Sequence, residues 1–221
     1  MLEPNVIPTE EPILRVGIFL PIDKCQRIAL VIPQSPVYEL IPESGSRQIL
    51  KGGEQIEFIL FENQIGIQIN GSIPNARLSW KIIPRGGEIQ IANKAGIKVK
   101  NVVAGRGFHW EKYIDVYLPG SIEISRMNDN LIMINVLPLE QYLMCVATSE
   151  MGAACPLSVI KSQTIIARSW LLANVEMKHR NLGMDVCNDD CCQRYQGTTF
   201  LSEHSIKGAL ETTGQVLIYG E

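Results

Sequence analysis

No long hydrophobic run occurs in this sequence. Its most apolar stretch, Ile13 to Ile22, is broken by Arg15 and Pro21 and falls short of the roughly 18 residues a membrane span needs, so no transmembrane segment is expected. A basic block is also missing: 20 Lys+Arg against 23 Asp+Glu leave a formal charge of −3. Without a basic patch there is no electrostatic footprint for nucleic acid, which is excluded as a partner. The first twelve residues, Met1 to Pro12, are acidic and proline-rich, with neither the basic nor the apolar region of a signal peptide. No repeat suggests a solenoid and no stretch is of low complexity. Cysteine is sparse, six in 221 residues, too few for a disulfide scaffold.

What is present is a globular balance, 46% apolar and 19% charged residues, in a chain long enough for one good-sized domain or two small ones. From Ile13 to Leu137, short Ile- and Val-rich runs recur between turn residues, the pattern of strands. They include 15–20, 26–32, 55–61, 64–69 and 96–102, with Gly52-Gly53, Asn70-Gly71 and Gly86-Gly87 as turn punctuation. Pro138 then opens a helix of about three turns ending at Gly152, and Pro156 opens a second over 157–178, apolar on most sides and therefore expected to be buried and central. A polar loop from His179 to Gly197 follows, then a short helix over 205–213 and a strand over 215–219. The expected class is α+β: a β-rich half with antiparallel strands, packed against a helical region.

On the first helix Leu139, Leu143 and Val146 form an apolar stripe, and Glu150 occupies its next position. A carboxyl there is expected to be buried, and burial together with the helix C-terminus would favour the protonated form a general acid needs. On the second helix Lys161, Thr164 and Arg168 share a face, which suits a polar ligand or is simply a solvated stripe. His179, Cys187, Cys191 and Cys192 offer imidazole and thiolate, the ligand types zinc prefers. Spacing alone leaves three readings of this cluster: a metal site on His179, Cys187, Cys192 and one further group, a disulfide from Cys187 to Cys191 or Cys192, or free thiols. Cys25, Cys145 and Cys155, among apolar neighbours, read as small buried side chains.

Several of these residues, in order, resemble the SpoIID/LytB family of bacterial sporulation and cell-wall remodelling proteins. The resemblance runs through Asn135-Val-Leu-Pro-Leu-Glu-Gln-Tyr-Leu143, Ser149-Glu-Met151, Ile160-Lys-Ser-Gln-Thr-Ile-Ile-Ala-Arg-Ser-Trp170, Asp185-Val-Cys187, Cys192-Gln-Arg-Tyr-Gln-Gly197 and Thr213-Gly-Gln-Val-Leu217. Phe108-His-Trp-Glu111 and Gly120-Ser-Ile-Glu-Ile124 resemble the start of the domain in members with longer N-terminal regions. The resemblance implies a β-rich N-terminal region over 1–106, a scaffold or wall-binding platform, and a catalytic domain over 107–221. It further implies a lytic transglycosylase acting on peptidoglycan glycan strands, especially peptide-free ones, with Glu150 as acid and base. Lys161, Gln163, Arg168 and Tyr195 match motif positions expected to hold sugar hydroxyls or the Glu150 loop.

Structural zinc, an extracytoplasmic place in the cell envelope and a cell-wall amidase as partner are implied in the same way. The alternative from the same resemblance is a non-catalytic, peptidoglycan-binding amidase enhancer. Two departures stand out. Cys191 occupies a position where many relatives have histidine, and His179 lies farther upstream of Cys187 than usual. Family domains also continue past the 214–219 segment, whereas this sequence stops at Glu221, so the domain is expected to lack that part of the groove.

Overall fold

A computed structural model of the chain describes residues 1–61, 63–69, 76–87, 89 and 91–220; the Asn70-Gly71 turn expected from the sequence lies outside them. The elements are β1 (Ile13–Phe19), β2 (Arg27–Val31), β3 (Tyr38–Pro42), β4 (Gln48–Leu50), β5 (Gln55–Phe61), β6 (Gln64–Ile69), β7 (Ala76–Arg77), β8 (Ser79–Pro84), β9 (Ile97–Ala104), β10 (Lys112–Leu118), β11 (Ser121–Met127), β12 (Asn130–Pro138), α1 (Leu139–Met151), α2 (Leu157–Ala173), β13 (Val186–Cys187) and α3 (Glu203–Glu211). The class is α+β, as the pattern of strand-like runs followed by helices requires.

Two sheets form, one ordered β13-β1-β12-β11-β8-β3-β4 and the other β10-β9-β2-β5-β6-β7. All named pairings are antiparallel except β1 with β13. One apolar core joins the sheets. Trp80 of β8 meets Phe58 of β5 edge to face at 6.4 Å, and its indole N–H donates to the Ile65 carbonyl of β6, so a buried ring has its polar atom satisfied.

Period-two alternation places successive side chains of β12 on opposite faces. Leu131 and Met133 enter the main core, while Ile132 and Ile134 pack with Leu20, Met184 and Cys187 in a second cluster. The strand is apolar on both faces because both are covered. The boundary expected at 106/107 falls in the turn between β9 and β10, and each sheet carries strands from either side of it.

The helices differ from expectation in burial and in extent. The central helix is α1, with Leu139 and all of 142–148 buried. In contrast, α2 buries one face through Ile160, Thr164, Ala167, Arg168, Leu171 and Leu172 and leaves Ile166 half exposed. It ends at Ala173 rather than continuing to 178, where Met177 takes a positive φ of 43°. The 215–219 strand does not form; the Leu217 amide bonds instead to the Ser169 hydroxyl on α2. Of the scattered cysteines, Cys145 is buried, but Cys25 and Cys155 are only partly so, each lying at a loop.

Candidate functional site

The start of α1 is fixed by the N-terminal segment: the Leu139 amide donates to the Pro12 carbonyl and the Glu140 amide to the Glu11 carboxylate, two of the donors a helix start leaves open. The helix stops at Gly152, whose φ of 83° is readily adopted only without a side chain. Glu150 is thereby presented in the last turn. Leu139, Leu143 and Val146 are buried as the stripe requires, but Glu150 is exposed. The burial expected for it is absent because the last turn runs past the apolar cover. What holds it is the backbone amide of Arg194, which donates to Oε1 at 2.6 Å.

Arg194 belongs to the cysteine loop, which is tied down at many points. Val186 and Cys187 pair with Val16 and Gly17 of β1, and the absent side chain of Gly17 leaves room for the Met184 sulfur. Asp185 accepts from the Leu2 and Arg15 amides. The Tyr195 hydroxyl donates to Asn135 Oδ1 at 2.6 Å while its ring stacks on Tyr142 at 5.0 Å. Gln193 accepts from the Tyr142 hydroxyl and donates to the Ala167 carbonyl. These bonds fix the loop between the β12–α1 junction and α2.

His179, Cys187, Cys191 and Cys192 come together, their donor atoms all within 4.8 Å of one another. Cys191 Sγ lies 3.6 Å from His179 Nε2 and 3.1 Å from Cys187 Sγ, and the Cys187 amide donates to Cys192 Sγ at 3.4 Å. A tetrahedral zinc with Zn–S near 2.3 Å puts sulfurs about 3.8 Å apart, so the four donors fit such an ion with small adjustments. Cys191 joins His179, Cys187 and Cys192 in the cluster, in the place of the further group that the sequence left open. Hydrogen bonds with Cys191 and Cys192 push the His179 pKa up to about 9, against the opposing effect of partial burial. The bonds that Cys191 receives from Cys187, Cys192 and His179 hold its thiol well below the usual range, and the bonds to Cys191 and Cys192 push Cys187 up. A metal ion held there would displace the protons of His179 and Cys187, since its ligands are thiolates and a neutral imidazole.

The residues expected to bind substrate are dispersed. Lys161 is partly exposed and ion-paired with Glu211 of α3. Gln163 is partly exposed on α2. Arg168 is only 2% exposed; its guanidinium pairs with both Glu140 oxygens at 2.9 and 2.5 Å and donates to the Gln215 carbonyl. Tyr195 is buried in the contacts described above.

Arg106 escaped the sequence reading. It donates to Asp23, Asn188, Asp189 and the Ile18 carbonyl, and Asp189 also accepts from the Gly105 and Arg106 amides. Its one sequence signal is an arginine flanked by two glycines between strand-like runs. The Arg194 amide left no signal at all, because a backbone donor carries no side-chain signature.

Residues 127–219 match the family model described as Stage II sporulation protein, SpoIID. A curated but uncharacterised protein of Brachyspira hyodysenteriae is 28% identical over 131 residues, which cover 56% of this chain and 35% of that protein. The chain thus spans about a third of the length of the curated relative it matches. No solved structure matches the chain. The matched region takes in β12, α1, α2, the cysteine loop and α3, the elements that carry Glu150 and the four clustered donors. Residues 127–219 of this chain, with the site they carry, are therefore similar to the SpoIID family.

Proposed function

We propose that this protein remodels the bacterial cell wall by cutting the glycan strands of peptidoglycan as a lytic transglycosylase, with Glu150 as the catalytic residue. The observation that carries this reading is the carboxylate of Glu150, exposed at the end of a buried helix and held through Oε1 by the Arg194 amide. In the proposed step the Glu150 proton passes to the glycosidic oxygen and the C1–O bond breaks. The 6-hydroxyl of the same sugar then closes on C1 and returns its proton to Glu150. No water is consumed, so the second carboxylate of an ordinary hydrolase is not needed. The other carboxylates of α1 and the cysteine loop are engaged: Glu140 by Arg168, Asp185 by two amides, Asp189 by Arg106, and Asp190 by the Arg194 guanidinium.

Lys161 and Gln163 are assigned to sugar hydroxyls, and Arg168 and Tyr195 to positioning α1 and the loop around Glu150. Zinc on His179, Cys187, Cys191 and Cys192 would close the loop as a structural ion. No helix among the described residues is long and apolar enough to cross a membrane, and the substrate places the protein outside the cytoplasm, where a cell-wall amidase is the fitting partner. The test is digestion of purified peptide-free glycan strands. Anhydro-sugar ends are expected, with Glu150→Gln lowering the rate at least about a hundredfold. Strand binding without any cleavage product would assign the protein instead as a non-catalytic amidase enhancer.

A further inference from the structure

The turn between β9 and β10, residues 105–111, lies outside the SpoIID match and has no part in the chemistry above. It presents two stacked rings to solvent: Phe108 and Trp110 have centroids 4.3 Å apart and planes 10° from parallel, and are 45% and 42% exposed. His109 packs edge-on against Trp110. The indole sits on bare backbone, since a Cβ on Gly105 would meet it at 2.5 Å. The turn is closed by hydrogen bonds from the Phe108 amide to the Gly105 carbonyl, from the Glu111 amide to the Phe108 carbonyl, and from the Gly107 amide to the Glu111 carboxylate. Below it, the Arg106 network ties the turn to Asp23, Asn188 and Asp189. Exposed rings held this firmly lose little freedom when something binds them.

Their location is informative. The turn hangs on Asp189, and five residues further along the same loop the Arg194 amide holds Glu150. Within the loop the Tyr195 amide donates to the Asn188 carbonyl, which folds Asp189 back beside Arg194, so the turn that carries the rings and the amide that holds Glu150 hang on the same end of the loop. Ring faces are electron-rich, and a pyranose offers them a flat face of weakly positive C–H bonds. We propose that Phe108 and Trp110 form a sugar-stacking subsite that supports the glycan strand beside Glu150, a proposal that rests on the glycan-cutting reading above. Two rings of about 150–250 Å² each fall short of the roughly 800 Å² per partner of a stable protein interface. The exposed His109, Glu111 and Lys112 around them suit a hydroxyl-rich ligand better than a lipid surface.

The test uses the full chain carrying Glu150→Gln, so that strands bind without turnover, with purified peptide-free peptidoglycan glycan strands as the probe. Adding Trp110→Ala or Phe108→Ala is expected to raise Kd about five- to tenfold, while Trp110→Phe stays near the parent because a ring is retained. Melting temperature checks the fold, and if Trp110→Ala does not fold, Phe108→Ala and Trp110→Phe decide. Folded variants that bind as tightly as the Glu150→Gln parent would overturn the subsite and leave the glycan reading standing. A parent that neither binds strands nor, with Glu150 restored, cuts them would overturn that reading and the subsite with it.

Discussion

Arg168 shows how far a side chain's role depends on a partner distant in sequence. On helix geometry it shares a face with Lys161 and is open to a ligand; in the fold Glu140, on the neighbouring helix, meets it with both oxygens. The same carboxylate accepts from the Gly214 amide, and Arg168 donates to the Gln215 carbonyl, so one ion pair fastens α1, α2 and the C-terminal segment. Bringing two charges out of water is costly, and only full geometric satisfaction offsets it, so losing one partner strands the other. Arg168→Met is therefore expected to destabilise the protein by about 3–5 kcal/mol. Pairing it with Glu140→Gln should recover much of that loss, because no buried charge remains. Urea unfolding of the two single variants and the double variant measures this; a single-variant cost below about 1 kcal/mol would show that solvent reaches the pair.

At the scale of elements, the cysteine loop is the joint of the site. Two of its four clustered donors, Cys191 and Cys192, lie just before Arg194, whose amide holds Glu150, so an ion that orders the loop also fixes the carboxylate. Protein purified without chelator is expected to carry about one zinc per chain. Cys187→Ser or Cys192→Ser should lose the metal, melt several degrees lower and cut glycan more slowly with Glu150 intact, since structural zinc contributes folding free energy. Elemental analysis without metal and freely titratable thiols would refute this, and a mass two protons lower would point to a disulfide. The loop's chemistry was legible because thiols and imidazole are rare and closely spaced here. Its geometry was not, because an irregular loop wraps Cys191 and Cys192 onto one centre where no periodicity relates them. Regular elements were read closely: β5 and β6 span the very runs their alternation marks out, and α1 runs from the residue after Pro138 to the residue before Gly152. The misses, residues 174–178 and 215–219, are segments whose local pattern suits an element but whose fate is set by tertiary neighbours.

For the whole molecule, the order of strands was the least legible feature, because short apolar runs do not state which run they pair with. The consequence is that the two halves of the chain are interleaved. β1 lies between β12 and β13, β8 pairs with β11, β9 pairs with β10, and Pro12 and Glu11 meet the first amides of α1. Residues 107–221 alone would leave β13 without its strand neighbour, expose the flank of β12 and β11, and lose Leu14, Val16, Ile28, Phe58, Trp80 and Ile82 from the shared core. Burial of that core is the dominant favourable contribution to folding, against a margin of only about 5–15 kcal/mol. A fragment of residues 107–221 is therefore expected to show no cooperative thermal transition and poorly dispersed amide resonances, although it contains Glu150 and every clustered metal donor. The full chain should melt in one step seen alike by helix and strand signals. A sharp transition with dispersed resonances from the fragment would mean that the SpoIID region carries a sufficient core of its own, and that the N-terminal strands add to a domain already able to fold.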